Sequence, residues 1–194
     1  MKETDKILEN EWAELLKGIK IGQHPFHTFN FSTISNDLPS IRTVVLRKAN
    51  SKSNEISFHT DNRSSKYHEV LANNKVCSLF YDRKRKVQLR MYGKAYIDQD
   101  NSQSSISWKR MTNESKICYM GPYAPSTMIN DFEPNLPKIL PHQINQKYEN
   151  LGYKNFCIIN ISIARIDWLY LDHKGHKRLL FYFGNNVKAN WIAS

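Results

Sequence analysis

Cysteine is scarce in this chain. Cys77, Cys118 and Cys157 lie far apart, and no CxxC pair occurs. That excludes zinc ribbons and thioredoxin-type chemistry, and an odd, scattered count suits a reducing compartment. No apolar run approaches the ~18–20 residues that a membrane span needs. The start, MKETDKILENEW, is charged and lacks the apolar centre of a signal peptide. A cytoplasmic protein with no membrane contact is expected. Also missing are a nucleophile elbow, a Walker loop, a GxGxxG turn and any internal repeat. Asp61 and Glu69, the carboxylates nearest the main basic cluster, are not spaced as an acid–base pair. A chain without reactive machinery of its own fits an enzyme whose cofactor carries the chemistry.

The 194 residues suit one domain, 1–194, with a substantial core. Aromatic residues make up 12%, which argues against disorder. Lys and Arg number 28 against 18 acidic residues, a formal charge of +10. Such a surface favours anionic partners: phosphorylated small molecules, nucleic acid or an anionic membrane.

Residues 4–20 read as a helix with Leu8, Trp12, Leu15 and Ile19 in one apolar stripe, ended by Gly18 and Gly22. The stripe is expected to lid a barrel end. His24 and His27 follow without a third metal ligand, so no metal site is expected. Strands are expected at 26–34, 41–48, 55–60, 76–81, 86–97, 156–171, 177–183 and 187–192. The strand at 156–171 is long enough to bend. Asn36-Asp37, 50–54 and 184–186 read as turns, and DRKRK (82–86) as a solvated hairpin tip. Short helices are expected from Ser64 to Asn73, with Tyr67, Val70 and Leu71 on one face, and from 101 to 111. Another is expected over 140–151, ended by Gly152. Five of the seven prolines fall between Gly121 and Pro141, which reads as a long functional loop. Many short strands with few helices predict a mainly β (α+β) barrel with peripheral helices.

The organising stretch is Ile41 to Gly93. Arg42, Arg47, Lys66 and the Ser64 and Ser65 hydroxyls come from neighbouring elements. Free N–H groups at a helix start favour phosphate, and arginine offers it a two-pronged donor. Arg42 and Arg47 are five apart, so strict alternation puts them on opposite faces unless the strand twists or bulges. In 86–97, Val87, Leu89 and Met91 share one face and Gln88, Arg90 and Tyr92 the other. The latter polar, aromatic face suits a ring-binding groove. Gly93 reads as a bulge or a close backbone approach.

RTVVLR (42–47), FHT (58–60), SSK (64–66), VQLRMYGKA (87–95) and HKR (176–178) occur in the order of the pyridoxamine 5'-phosphate oxidase family. The chain resembles that family over roughly two thirds of its length. The resemblance implies an FMN-binding split β-barrel and an FMN-dependent oxidoreductase. It places Arg42, Ser65 and Lys66 around the FMN phosphate region, with Thr43, Val44 and Ser64 also expected at the cofactor. Arg47 stands where the family usually has Lys, near flavin and substrate. His59 and Thr60 match a Tyr-Thr pair lining the FMN site, and Gln88 and Arg178 approach the isoalloxazine ring. Lys174 and His176 fall at substrate positions. It further implies a homodimer, with Gln88 and Arg178 supplied across the interface.

The departures concern the substrate. The family's Arg-Leu-His-Asp-Arg is here Lys174-Gly175-His176-Lys177-Arg178, and its cofactor-site Trp falls on Leu169. The residues that hold the substrate phosphate have no clean match in 104–126. FMN is therefore expected with a small-molecule substrate, phosphorylated or otherwise. Activity on pyridoxamine phosphate is expected to be weak or absent. The alternative is a nucleic-acid-binding basic β-barrel without cofactor, using DRKRK, Tyr81 and Tyr92; a structural barrel with an empty groove is a third reading.

Overall fold

The computed structural model describes residues 2–194. Helix α1 (Glu3–Lys20) opens the chain, and a 3-10 turn at Pro25–His27 leads into β1 (Thr28–Ser35). β2 (Leu38–Val45), β3 (Lys48–Asn50) and β4 (Glu55–Asp61) precede α2 (Ser65–Ala72), β5 (Lys75–Asp82) and β6 (Val87–Asp98). After α3 (Ser102–Arg110) and α4 (Asn113–Lys116) comes a long irregular stretch. Then α5 (Gln146–Asn155), β7 (Phe156–Tyr170), β8 (Lys177–Tyr182) and β9 (Lys188–Ile192) complete the fold. All strand pairs are antiparallel, in the order β2-β1-β5-β6-β7-β4-β3, with β8 and β9 continuing from β7. The sheet is an open, split barrel.

β2 and β3 stand at the two ends of that order yet are separated only by Leu46 and Arg47. Leu46 N–H donates to His27 O and Arg47 N–H to Ser57 O, both at 2.8 Å. The single strand expected at 41–48 therefore breaks at a fully buried Leu46, where the chain leaves one edge of the sheet for the other. This break answers the question of the two arginines: Arg42 and Arg47 belong to different strand environments.

Inside the barrel, Phe26, Phe29, Phe31, Phe58 and Phe80 pack together, Phe29 stacking on Phe80. Trp12 and Leu15 of α1 are buried against this core, and Leu8 and Ile19 lean on it. Asn36 and Asp37 both take positive φ, as the tight β1–β2 turn requires of its two central residues.

β7 carries the bend. Tyr92 pairs with Arg165 but Gly93 pairs with Ile163, so Ala164 is the extra residue of a bulge. The inward positions change parity there: Ile159, Ile161 and Ile163 before it, Ile166 and Trp168 after it. Gly93 is required because a Cβ would sit 2.0 Å from Ser162 O.

Three local expectations are corrected. Leu71 is exposed, because only Val70 of α2 reaches the core. Leu140 lies before a separate 3-10 turn and is exposed, because α5 begins only after its Asn145 cap. Gly152 lies inside α5, where a Cβ would meet Trp108 at 2.7 Å; it serves packing, not termination.

Candidate functional site

Residues Asp61–Ser64 turn the chain from β4 into α2. Arg63 donates Nε (3.0 Å) and Nη2 (2.7 Å) to the Asp61 carboxylate. Ser64 Oγ donates to Asp61 O at 2.7 Å instead of capping the helix. Beside it Thr60 Oγ1 lies 3.4 Å from Ser64 Oγ and accepts from Lys66 Nζ at 3.2 Å. Burial first, then the nearby Arg42 charge, pull the Lys66 ammonium below its ordinary range, against the opposing pull of Asp61, Cys157 and Glu69. Ser65 is exposed at the start of the helix.

Arg42 shares the inward-facing side of β2 with Val44, which packs on the core; its Cα partner is Phe31. Its Nη1 donates to Thr33 Oγ1, and its Nη2 to Ser40 Oγ and to Glu69 Oε2, the last at 2.7 Å. Thr33 Oγ1 also donates to Glu69 Oε2. Thr43, on the opposite face of the strand, is exposed and donates to Asn30 Oδ1.

Arg47 and His59 meet at a different place, a cavity of about 830 Å³ on the outer face of β4, β7 and β6. Ser57, Tyr96, Asp98, Ile158 and Asn160 form its floor, while Ser107, Arg110 and Ser115 from α3 and the segment after it reach over it. Burial, and secondly the Arg47 charge, pull His59 down to about 4, so it is neutral at ordinary pH. Asp98 accepts from Asn101 and Asn160.

Gln88 and Arg178 share a third place. Gln88 pairs with Leu169 and Leu169 with Arg178, so all three lie in one row on the outer face of β6, β7 and β8. In the next row Asp167, 3% exposed, accepts from Arg90 Nη2 (2.5 Å), Arg178 Nε (3.0 Å) and Arg178 Nη2 (2.7 Å). Arg165 lies over the Tyr92 ring at 4.1 Å. The Nε atoms of Arg90 and Arg165 are buried without a hydrogen-bond partner. Lys174 and His176 occupy the exposed β7–β8 turn, where His176 Nδ1 accepts from Asp172 N–H.

The structure thus brings Thr60, Ser64, Lys66 and Arg42 to one end of the barrel, Arg47 and His59 to a cavity, and Gln88 and Arg178 to an outer face. It does not bring the first and third groups together within one chain, since Arg42 faces inward and Gln88 outward. The donor chemistry of the first group fits a phosphate: two cations, two hydroxyls and a helix start. Sequence reading missed Glu69 and Thr33 as holders of Arg42, and Asp167 as the anion between two arginines. It also missed Ser107 and Arg110 over the cavity, although their three-residue spacing on a helix was a usable signal.

The two histidines after α1 are spent locally: His24 on Glu14 at 3.0 Å and His27 on Gly18 O at 2.8 Å. Among the described residues no cluster of His, Cys, Asp or Glu could hold a metal ion. No helix there is long and apolar enough to cross a membrane. The DRKRK tip is not wholly solvated: Arg85 folds back onto Glu11 and Asp82 at 2.8 Å each.

Residues 9–99 match the family model described as pyridoxamine 5'-phosphate oxidase, FMN-binding domain. A pyridoxamine 5'-phosphate oxidase-related, FMN-binding protein from Nostoc punctiforme is 18% identical, with 96% of each chain covered and a TM-score of 0.73. PhzG from Burkholderia lata, solved with tetrahydrophenazine-1-carboxylic acid, is 14% identical, with a TM-score of 0.67 over 100% of this chain and 94% of that one. A Clostridium acetobutylicum protein related to general stress protein 26 reaches 0.55 at 14% identity, over 92% and 95%. No curated protein matches the chain in sequence. At these identities the structural likeness shows a shared fold.

Proposed function

We infer, from the match of residues 9–99 to the FMN-binding domain model of the pyridoxamine 5'-phosphate oxidase family, an FMN-dependent oxidoreductase acting on a small anionic substrate. It is one domain, holds one FMN per chain and works as a homodimer. The carrying observation is Lys66. Its half-buried ammonium, with three donors, has a single hydrogen-bond partner among the described residues, the Thr60 hydroxyl, and stands beside a second cation. That is an end of the barrel short of an anion. Arg42, Lys66, Thr60, Ser64 and Ser65 hold the FMN phosphate. Thr43 and Val44 keep β2 in place beside it.

Gln88 and Arg178 face outward and reach the ring of a flavin held by the other copy. The partnerless Arg90 and Arg165 Nε atoms on the same face support an interface there, since buried donors are rarely left unpaired. When bound, FMN supplies reversible two-electron acceptance at its ring. The protein's groups bind, orient and exclude water. Arg47 and Arg110 offer charge to the substrate anion at the cavity, and neutral His59 offers one donor and one acceptor. Lys174 and His176 approach the substrate from the β7–β8 turn. With Lys in place of the two-pronged Arg, turnover of pyridoxamine phosphate is weak. The compartment is the cytoplasm. Nucleic acid is not favoured as a partner, because one of the four cations of the basic tip, Arg85, is already paired with Glu11 and Asp82.

A mixing experiment tests the shared site. Arg42→Glu damages the phosphate half and Arg178→Glu the ring half. Each variant alone should lose bound flavin absorbance. Co-refolded variants should regain it in part, because one of the two sites in a mixed dimer is intact. Mixed dimers that recover no flavin would remove Arg178 from the site. Colourless wild-type protein that takes up no added FMN would remove the cofactor.

A further inference from the structure

We propose that Glu69 is an internal counter-anion that holds Arg42 and sets how tightly this end of the barrel takes a phosphate. The proposal rests on the FMN reading above and adds a residue to it that no part of the resemblance assigned.

The argument is one of charge and of donors. Four charged groups border the start of α2 besides Glu69. Asp61 is paired with Arg63 through three side-chain hydrogen bonds, so that pair sums to zero charge. Arg42 then has Glu69 as its carboxylate partner, while Lys66 feels Asp61 and Glu69 across space without an ion pair to either, and the five groups together sum to +1. The Glu69 carboxylate accepts from both Arg42 and Thr33, and its side chain is 10% exposed. It leaves one positive charge uncompensated, that of Lys66. A phosphate monoester carries about −1.5 to −2 near neutral pH. Added to that end, it overshoots neutrality while Glu69 is ionised, and balances it once Glu69 is neutral.

Donor geometry points the same way. Arg42 spends Nη1 on Thr33 and Nη2 on Ser40 and Glu69. A guanidinium has five N–H groups, so Nε and one Nη1 hydrogen remain for a ligand. A phosphate can dock without expelling Glu69, but it must share one cation with a like charge. Glu69 therefore orients Arg42 in the empty protein and weakens phosphate binding at the same time. It also keeps two cations from facing each other unbalanced beside the ring of Phe31, over which Arg42 lies at 5.9 Å.

Titration of the apoprotein with FMN and with riboflavin tests this, because the two share a ring and differ in the phosphate. The readout is the ratio of their affinities, followed by flavin fluorescence quenching. In Glu69→Gln, which keeps an acceptor for Arg42 and Thr33, the FMN-to-riboflavin ratio should rise about tenfold, with riboflavin affinity unchanged. Glu69→Ala should raise it less, since Arg42 loses a holder, and gives the same readout should the Gln variant fold poorly. Inorganic phosphate should raise the melting temperature of Glu69→Gln more than that of wild type. An unchanged or lower ratio in both variants overturns the proposal and leaves Glu69 a plain support. Arg42→Ala separates the two levels. If it leaves the ratio at its wild-type value, the phosphate reading itself fails, and the proposal with it.

Discussion

The outer face of the long sheet divides at the Gly93–Ala164 bulge into two halves that treat their arginines in opposite ways. On one side, α3 roofs a cavity, and Arg47 and Arg110 reach it, neither ion-paired to a carboxylate among the described residues. On the other side Arg90 and Arg178 both clasp a buried Asp167. The same residue type thus serves two ends. Unspent cations around a concave, partly apolar space suit an exchangeable anion. Cations tied to a fixed anion make a rigid plate, useful for meeting another protein surface. The bulge makes the difference possible, since it turns β7 so that Ile158 and Asn160 face the cavity while Arg165 and Asp167 face the plate.

Removing the bulge's glycine should break the comparison most severely. In Gly93→Ala the new methyl would meet the Ser162 carbonyl at 2.0 Å, and backbone cannot step aside as a side-chain tip can. Overpacking typically costs about 1–3 kcal/mol, and this site belongs at or above the upper end. Urea unfolding measures it. A loss below about 1 kcal/mol would mean that the strands separate freely there, and that the parity change does not depend on Gly93.

Next in size is Asp167→Asn. Two arginines would lose their shared anion at a 3% exposed position, at a cost of about 2 kcal/mol. Burial pushes the Asp167 carboxyl up, but the Arg178 hydrogen bond and the Arg90 and Arg178 charges outweigh it and hold the group below its ordinary 3.8. The contribution is therefore complete above the unfolded value and is lost as pH falls through the lower, folded one. The gap in stability between wild type and Asp167→Asn should be wide at pH 6 and should narrow as the pH is taken down past 3.8. A gap independent of pH would show that Asp167 acts through packing alone.

The fold was largely legible because its signals are local. Alternation marked Val87, Leu89 and Met91 as inward, and the Asn36-Asp37 and Gly184–Asn186 turns fell where turn residues gather. The break at Leu46 was not legible, because RTVVLRK reads as one strand until the chain must cross from β1 to β4. Gly152 looked like a stop for the same reason: a packing glycine and a terminating one are identical in sequence. At the site, the cations were readable as types and the anions that bind them were not. Glu69 lies 27 residues from Arg42, and Asp167 lies 77 from Arg90; only the fold brings them together.

The smallest expected effect sharpens the roofed half. Burial and the Arg47 charge hold His59 near 4, against 6.5 for an ordinary histidine. Folded protein therefore keeps His59 neutral at pH 5.5, while the unfolded chain takes up the proton. Proton binding to the unfolded state alone lowers stability as pH falls, beginning near 6.5 and ending near 4. Between pH 7 and pH 5.5 the loss from this one residue is about 1.2 kcal/mol. His59→Gln should remove that part of the slope and leave stability above pH 7 nearly unchanged. Arg47→Ala should remove a smaller share, because burial is the larger cause. An anion bound in the cavity should offset the Arg47 charge and end the slope at a higher pH, its start near 6.5 unchanged, so the titration also reports whether the cavity takes the charge its arginines offer. Wild type and His59→Gln showing the same pH slope would mean that His59 ionises freely, and that the cavity does not shield it from water.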